Sequence, residues 1–263
     1  MDYRIKGKLA FVNAGAYGIG EAVADLLTQE GASVIVSDKD APVLEEKANR
    51  WTGVVAADLS TAEGVDHAVS YVLKTFGREP DILINNLGVG DSSSFEDISD
   101  ERWARSFEIN LMGCIRMCRA LIPGMAKNAT PGGAAVVNTG SDLAKQPEPT
   151  LMDYGVCKAG LLYLSKALAK QYAPAVRVNT VLPGPVWTRM WTRPGGIVDQ
   201  LVTHYGVEDR DAAVKRFLED RYLPLGIGQP EDVANAVVFL ASPLAKFITG
   251  ASIDIGGTLR GLI

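Results

Sequence analysis

Lys8-Leu-Ala-Phe-Val-Asn-Ala-Gly-Ala-Tyr-Gly-Ile-Gly20, followed by Ser33-Val-Ile-Val-Ser-Asp38, is the stretch that decides the fold. Residues 8–13 are a short apolar run that meets a glycine cluster, the pattern of a buried strand entering a tight turn. Gly15, Gly18 and Gly20 fall within six residues, and Ala22, Val23, Leu26 and Leu27 then share one helical face before Gly31 stops it. The second apolar run ends in a carboxylate, Asp38. Strand, glycine turn, helix, strand and terminal acid form a dinucleotide-binding unit. The glycines let backbone approach a pyrophosphate, and the helix N-terminus offers it free N–H groups and positive potential. Asp38 stands where ribose hydroxyls would donate hydrogen bonds.

The same alternation continues along the chain. Strands are predicted near residues 8–13, 33–38, 53–57, 81–85, 134–139, 176–181 and 252–255, with the clearest helices around 19–30, 61–76, 102–127, 153–172 and 230–241. This pattern predicts an α/β fold over residues 1–263. It is a single Rossmann-like, doubly wound domain of about seven parallel strands, with helices on both faces and a site at the strands' carboxyl ends. The interval 189–228 departs from it, with Pro194-Gly-Gly196, a polar helical stretch from Asp209 to Arg221, and Pro224-Leu-Gly-Ile-Gly228. Such an insertion, hinged by Gly and Pro, is compatible with motion on binding and equally with a static surface.

Bulk properties narrow the function. A 263-residue chain that is 47% hydrophobic and 22% charged suits one globular α/β domain. A net charge of −5 argues against broad binding to nucleic acid or anionic membranes. No apolar stretch approaches the ~20 residues of a membrane span, and Met1-Asp-Tyr-Arg-Ile-Lys6 has no signal-peptide core. Cys114, Cys118 and Cys157 match neither a disulfide framework nor a zinc spacing, and His67 and His204 are the only histidines. The expectations are therefore no metal and a reducing, cytoplasmic setting.

Tyr154 and Lys158 lie four residues apart, with Ser141 thirteen residues upstream. On a helix, i and i+4 share a face, so phenol and ammonium project side by side. A nearby cation stabilises a phenolate whose reference pKa is ~10, giving a group able to exchange a proton with an alcohol or carbonyl.

These features together resemble the classical short-chain dehydrogenase/reductase family, from about residue 6 to the C-terminus. Asn13-Ala-Gly-Ala-Tyr-Gly-Ile-Gly20 matches its cofactor loop, and Asp58-Leu59 its acidic adenine contact. Asn85-Asn-Leu-Gly88 matches a strand-end motif, Asn110 the helix asparagine of the catalytic tetrad, and Asn179-Thr-Val-Leu-Pro-Gly184 with Thr188 the nicotinamide segment. The resemblance implies a tetrad of Asn110, Ser141, Tyr154 and Lys158. Tyr154 would be general acid in reduction and base in oxidation, and Lys158 would lower its pKa and bond the nicotinamide ribose. Ser141 would donate to the carbonyl oxygen, and Asn110 would hold a relay water. Ser141 as a simple helix cap and Asn110 as a backbone partner are the alternatives. The implied cofactor contacts begin with Asn13, Gly15, Tyr17, Gly18, Ile19 and Gly20 in the loop, and Asp38, Lys39, Asp58 and Leu59 beyond it. Asn85, Leu87, Gly88, Tyr154, Lys158, Pro183, Gly184, Val186 and Thr188 complete them. Residues 189–228 would form the variable substrate lid.

Asp38 favours NAD by bonding a free ribose 2′-hydroxyl and repelling a 2′-phosphate. Tyr17 stands where NADP-preferring relatives often carry a base, while Lys39 pulls towards NADP. Trp187, Met190 and Trp191, with Leu143 and Met152, suggest apolar walls around Ser141 and Tyr154, suited to a hydrophobic or cyclic alcohol or ketone. They equally suit packing of the lid or a subunit contact. The expected activity is NAD(P)-dependent interconversion of a secondary alcohol and a ketone. The alternatives are an NADPH-dependent 3-oxoacyl or polyketide-type ketoreductase, and a non-catalytic nucleotide-binding relative. Four residues depart from the family pattern: Asn13 for a threonine, Ala14 for a glycine, Leu87 for an alanine and Gly256 for an aspartate. Family members assemble through two long helices, here 102–127 and 153–172, with the C-terminal segment adding contacts, so a homotetramer or homodimer is implied.

Overall fold

The computed structural model describes residues 2–129 and 133–257; the end of the C-terminal segment expected to join the assembly, residues 258–263, lies outside them. Seven strands, β1 (Leu9–Asn13), β2 (Ser33–Asp38), β3 (Gly53–Ala56), β4 (Ile82–Asn85), β5 (Ala134–Thr139), β6 (Val176–Pro183) and β7 (Ser252–Ile255), form one sheet in the order β3-β2-β1-β4-β5-β6-β7. Every neighbouring pair is parallel. The fold is the doubly wound, Rossmann-like α/β arrangement that the alternation predicts. The connecting helices are α1 (Gly18–Gln29), α2 (Ala41–Glu46), α3 (Ala62–Phe76), α4 (Asp100–Phe107), α5 (Gly113–Lys127) and α6 (Met152–Tyr172). After β6 come α7 (Arg189–Thr192), α8 (Ile197–Tyr205), α9 (Arg210–Asp220) and α10 (Pro230–Ala241).

The register shows why these strands are apolar runs and where the chemistry begins. Ile35, Phe11, Leu83, Val136 and Val178 form one cross-sheet row, buried under α3, α5 and α6. One residue further on, side chains point to the other face. There Val36, Val12, Ile84 and Val137 pack beneath α1 and α10. The next row, Ser37, Asn13, Asn85, Asn138 and Thr180, is polar across five strands and buried throughout. The apolar core therefore ends at one level near the carboxyl edge, and a hydrogen-bonding layer floors whatever lies above it. In this fold that edge is where ligands sit.

The expected helix over 102–127 is in fact two helices joined by a π-turn, Glu108–Met112, with Asn110 at its centre. Asn110 Oδ1 accepts from Val89 N (2.9 Å), and its Nδ2 donates to Val89 O (3.0 Å) and Ser106 Oγ (3.2 Å).

Candidate active site

The asparagine row builds the floor. Asn13 Nδ2 donates to Asn85 Oδ1 (2.7 Å), Asn85 Nδ2 to Asn138 Oδ1 (2.8 Å), and Asn138 Nδ2 to Ser165 Oγ on α6 (2.8 Å). Asn13 Oδ1 also accepts from the main-chain N–H groups of Asn86 (2.7 Å) and Leu87 (3.2 Å), which sets the course of the chain after β4. Asn13 and Asn85 thus support the cleft from below and do not line it. Gly15 and Gly20 also lie outside its lining, and their role is space. A Cβ on Gly15 would lie 2.7 Å from Val36 Cγ1, and one on Gly20 2.4 Å from Ala14 O. Gly18 is left-handed (φ +54) and packs towards Thr188.

Above this floor is a cleft of about 1440 Å³ running along the carboxyl edge. One end is lined by Tyr17, Gly18, Ile19, Asp38, Lys39, Asp58 and Leu59. Asp38 accepts backbone N–H groups from Ala16 (3.2 Å) and Asp40 (3.2 Å). Ser60 holds the Asp58 carboxyl below its usual range, and the Lys39 and Arg105 charges add to this. Tyr17 Oη donates to Asp40, whose carboxylate also meets Arg189 Nη1 at 3.6 Å, and the Arg189 guanidinium lies 4.1 Å from the Tyr17 ring centre. Sequence reading missed Asp40 and Arg189; the one signal was that Asp40 follows Asp38 by two residues.

The middle of the cleft gathers Leu87, Gly88, Ser141, Tyr154, Lys158, Pro183, Gly184, Val186 and Thr188. Lys158 is buried, and its Nζ donates to Thr139 O (2.9 Å) and Leu87 O (3.4 Å). Gly88 makes room for it, because a Cβ there would lie 2.9 Å from Nζ. Burial lowers the Lys158 pKa to about 8. Lys158 Nζ stands 5.4 Å from the Tyr154 ring centre. Lys158 alone does not depress the phenol's pKa in this arrangement. Burial raises the Tyr154 pKa, Ser141 opposes the shift, and the neighbouring Asp142 adds to it. The ammonium is turned to two carbonyls, so the loss of water outweighs it. Asn110 sits beneath the cleft and clamps Val89, the backbone role that stood as its alternative.

The far end is mixed in character. Leu143, Met190 and Trp191 line it as expected, joined by Leu151, Ile197, Phe217 and Leu223. Met152 and Trp187 do not line it. Met152 begins α6, and Trp187 packs edge-on behind Trp191, ring centres 6.0 Å apart. Trp191 in turn packs edge-on with Phe217 (5.4 Å). A polar group that sequence reading missed lies on the same walls: Asp91, Asp142, Gln146, Glu148, Arg193 and Arg221. Ser141 caps the turn after β5, accepting from Leu143 N (3.2 Å), and its Oγ donates to Asp142 Oδ1 (3.0 Å). Arg193 pairs with Asp91, and Arg221 with Glu148.

Residues 14–258 match a family model described as enoyl-(acyl carrier protein) reductase. An uncharacterised oxidoreductase of Bacillus subtilis (strain 168) is 34% identical over the whole of both chains. L-Sorbose reductase from Gluconobacter frateurii, solved with NADPH and L-sorbose, superposes with a TM-score of 0.91 at 31% identity over the whole of both chains. A 3-ketoacyl-(acyl-carrier-protein) reductase from Brucella melitensis, solved with NADH, gives 0.82 at 31% identity, covering 98% of this chain and 100% of its own. The chain belongs to the short-chain dehydrogenase/reductase family. It is an NAD(P)-dependent oxidoreductase of that family.

Within this family the departures at Ala14, Leu87 and Gly256 have local structural accounts. Ala14 is left-handed (φ +49), the conformation for which glycine is the ordinary choice. The extra bulk of Leu87 lies over Gly113, where a Cβ would be 3.1 Å from Leu87 Cδ2. Gly256 faces Gly184, whose absent Cβ would lie 2.8 Å from Gly256 Cα, and Gly184 N donates to Ile255 O (3.1 Å). Two glycines let β7 run close behind the cleft wall. Among the described residues, no helix of this dehydrogenase/reductase is long and apolar enough to cross a membrane.

Proposed function

We propose that this enzyme interconverts a secondary alcohol and a ketone, with NAD as the preferred cofactor. The observation that carries the reading is the convergence of Ser141, Tyr154 and Lys158 on one stretch of cleft at the carboxyl edge of the sheet. A bound nicotinamide supplies or accepts the hydride; the chain positions the substrate and handles one proton. In reduction, Tyr154 donates its phenolic proton to the carbonyl oxygen, and its raised pKa keeps that proton available at neutral pH. Oxidation needs the phenolate, so its rate climbs with pH. Ser141, released from Asp142, donates to the same oxygen as charge develops on it. Lys158, fixed by Thr139 O and Leu87 O, presents its remaining donor capacity to the cleft, and Asn110 holds the 86–90 turn in place.

The cofactor preference rests on charge at the first end of the cleft. Asp38, Asp40 and Asp58 stand there together, and the local cations already have acidic neighbours: Lys39 and Arg105 act on Asp58, and Arg189 pairs with Asp40. A 2′-phosphate would meet carboxylates with little free positive charge to offset them. Residues 189–228 serve as the substrate lid, tied to the body at Arg189–Asp40, Arg193–Asp91 and Arg221–Glu148. Three buried, unpaired thiols favour a reducing, cytoplasmic setting. We infer a homotetramer from the family and from an apolar outer face on α6.

Following reduced-nicotinamide absorbance across a panel of alcohols and ketones tests the activity. Tyr154→Phe is expected to reduce kcat by roughly 10²–10⁴-fold, and undiminished turnover in that variant defeats the proton-transfer role. The Michaelis constant for NAD is expected to lie well below that for NADP, and the reverse order defeats the Asp38 argument.

A further inference from the structure

The turn beside Ser141 carries polar groups that an alcohol/ketone site does not by itself require. Asp142 lines the cleft, and its Oδ1 accepts from Ser141 Oγ (3.0 Å) and from Leu143 N (2.9 Å). Gln146 N donates to Asp142 O (3.0 Å), which holds both residues on one turn. The Gln146 Nε2 is buried without a hydrogen-bond partner, and Gln146 also lines the cleft. Burial raises the Asp142 pKa, against the pull of Ser141 and Arg221. Arg221 is committed to Glu148.

We propose that Asp142 and Gln146 form a polar subsite next to Ser141 that holds a hydroxyl on the carbon adjacent to the reacting one. The preferred substrates are then vicinal diols and their α-hydroxy ketones, the class that includes polyols and ketoses. The inference rests on the alcohol/ketone reading of Ser141 and Tyr154 and names its substrate class. A hydroxyl is both donor and acceptor, so one group can donate to the Asp142 carboxylate and accept from the free amide N–H of Gln146. A purely apolar neighbour would instead leave the buried Gln146 amide nitrogen without a partner, which is costly. An anionic neighbour would face the Asp142 carboxylate, with Arg221 already engaged by Glu148. The apolar side chains of Leu143, Met190 and Trp191 pack against the carbon skeleton, so the cyclic character expected from the sequence fits, while a wholly hydrophobic substrate does not. In oxidation the carbinol C–H bond breaks and its hydride passes to NAD. The O–H proton passes to Tyr154, and the second hydroxyl is unchanged in the product.

The test compares cyclohexanol, cyclohexane-1,2-diol and cyclohexane-1,4-diol with NAD. The expected result is a kcat/KM for the 1,2-diol at least about tenfold above that for cyclohexanol, without a comparable gain for the 1,4-diol. Asp142→Leu is expected to bring the ratio of 1,2-diol to cyclohexanol near one. Asp142→Asn, which keeps an oxygen for Ser141 and Leu143 N, is expected to retain part of it. Equal use of cyclohexanol and the 1,2-diol by the unaltered enzyme, or a ratio preserved in Asp142→Leu, overturns the subsite. Ligand-observed NMR on Tyr154→Phe protein separates this failure from that of the oxidoreductase reading. Selective binding of the 1,2-diol, lost on adding Asp142→Leu, supports the subsite even if no alcohol is turned over. Unselective binding overturns it.

Discussion

Lys158 is a cation buried at the cleft wall, and that has a consequence for stability as well as for chemistry. Its folded pKa of about 8 lies below the ordinary 10.5 because burial disfavours the charged form. Between those values the unfolded chain binds more protons than the folded one, so this residue's contribution makes stability rise as pH increases through the window. Below about pH 8 the folded protein carries the full cost of the buried charge. Lys158→Met removes the charge but leaves Thr139 O and Leu87 O without their donor. The net expectation is an inactive protein more stable than the unaltered one by about 1–2 kcal/mol at pH 7. The gap should close between pH 8 and 10.5. Denaturant unfolding at a series of pH values measures it, and a variant that is less stable at pH 7 contradicts this account. The residue is then kept for function at a cost in stability, as strained or charged active-site groups commonly are.

At the scale of elements, the turn from β1 to α1 repeats that conflict in the backbone. Ala14 adopts a left-handed φ of +49, which costs a side-chain-bearing residue roughly 1–2 kcal/mol. Glycine has no such penalty but loses more conformational entropy on folding. Ala14→Gly is therefore expected to stabilise by about 0.5–1 kcal/mol and to tighten nicotinamide-cofactor binding, read by thermal unfolding and by fluorescence titration. A lower melting temperature would show that the methyl group makes a compensating contact. This turn was legible in the sequence because glycine spacing reports backbone demands directly. The strands were legible for a related reason: each is a run of apolar side chains with a polar residue where the core stops, as in Ser33–Asp38. Short elements of mixed polarity, Ala41–Glu46 and Ile197–Tyr205, gave no such signal. The π-turn at Asn110 was hidden as well, since one extra residue barely disturbs the apolar period, and the partner of Asn110 there, Val89, lies far along the chain. Trp187 misled because nearness to Trp191 in sequence does not say which of the two faces the cleft. The pKa direction of Tyr154 depends on burial, a property of the assembled fold and absent from the Tyr-x-x-x-Lys spacing. Asp142, beside Ser141 throughout, was overlooked because a carboxylate there is part of no motif.

At the scale of the whole molecule, we propose that α6 joins catalysis to assembly. Its inner face carries Cys157, Lys158, Leu161 and Ala169 into the core and the cleft floor. Its outer face leaves Val156 at 50% and Tyr163 at 82% exposure, two turns apart on one side of the helix. A helix apolar on both sides is normally buried on both. Phe107 on α4 is exposed nearby in the same layer, since α4 packs against α6. These residues favour α6 and its neighbours as the surface through which copies of the chain associate. Tyr163→Glu would place a carboxylate, twice over, across a two-fold contact, where desolvation and mutual repulsion both oppose association. Light scattering coupled to size exclusion is expected to find the unaltered 28.1 kDa chain as a tetramer and Tyr163→Glu as a smaller species. Because Tyr154 and Lys158 stand on the same helix, dissociation should also lower kcat by loosening the mount of the proton-transfer pair. An unaltered chain that runs as a monomer at micromolar concentration would remove the assembly and the coupling together, while a dissociated variant with full kcat would remove only the coupling.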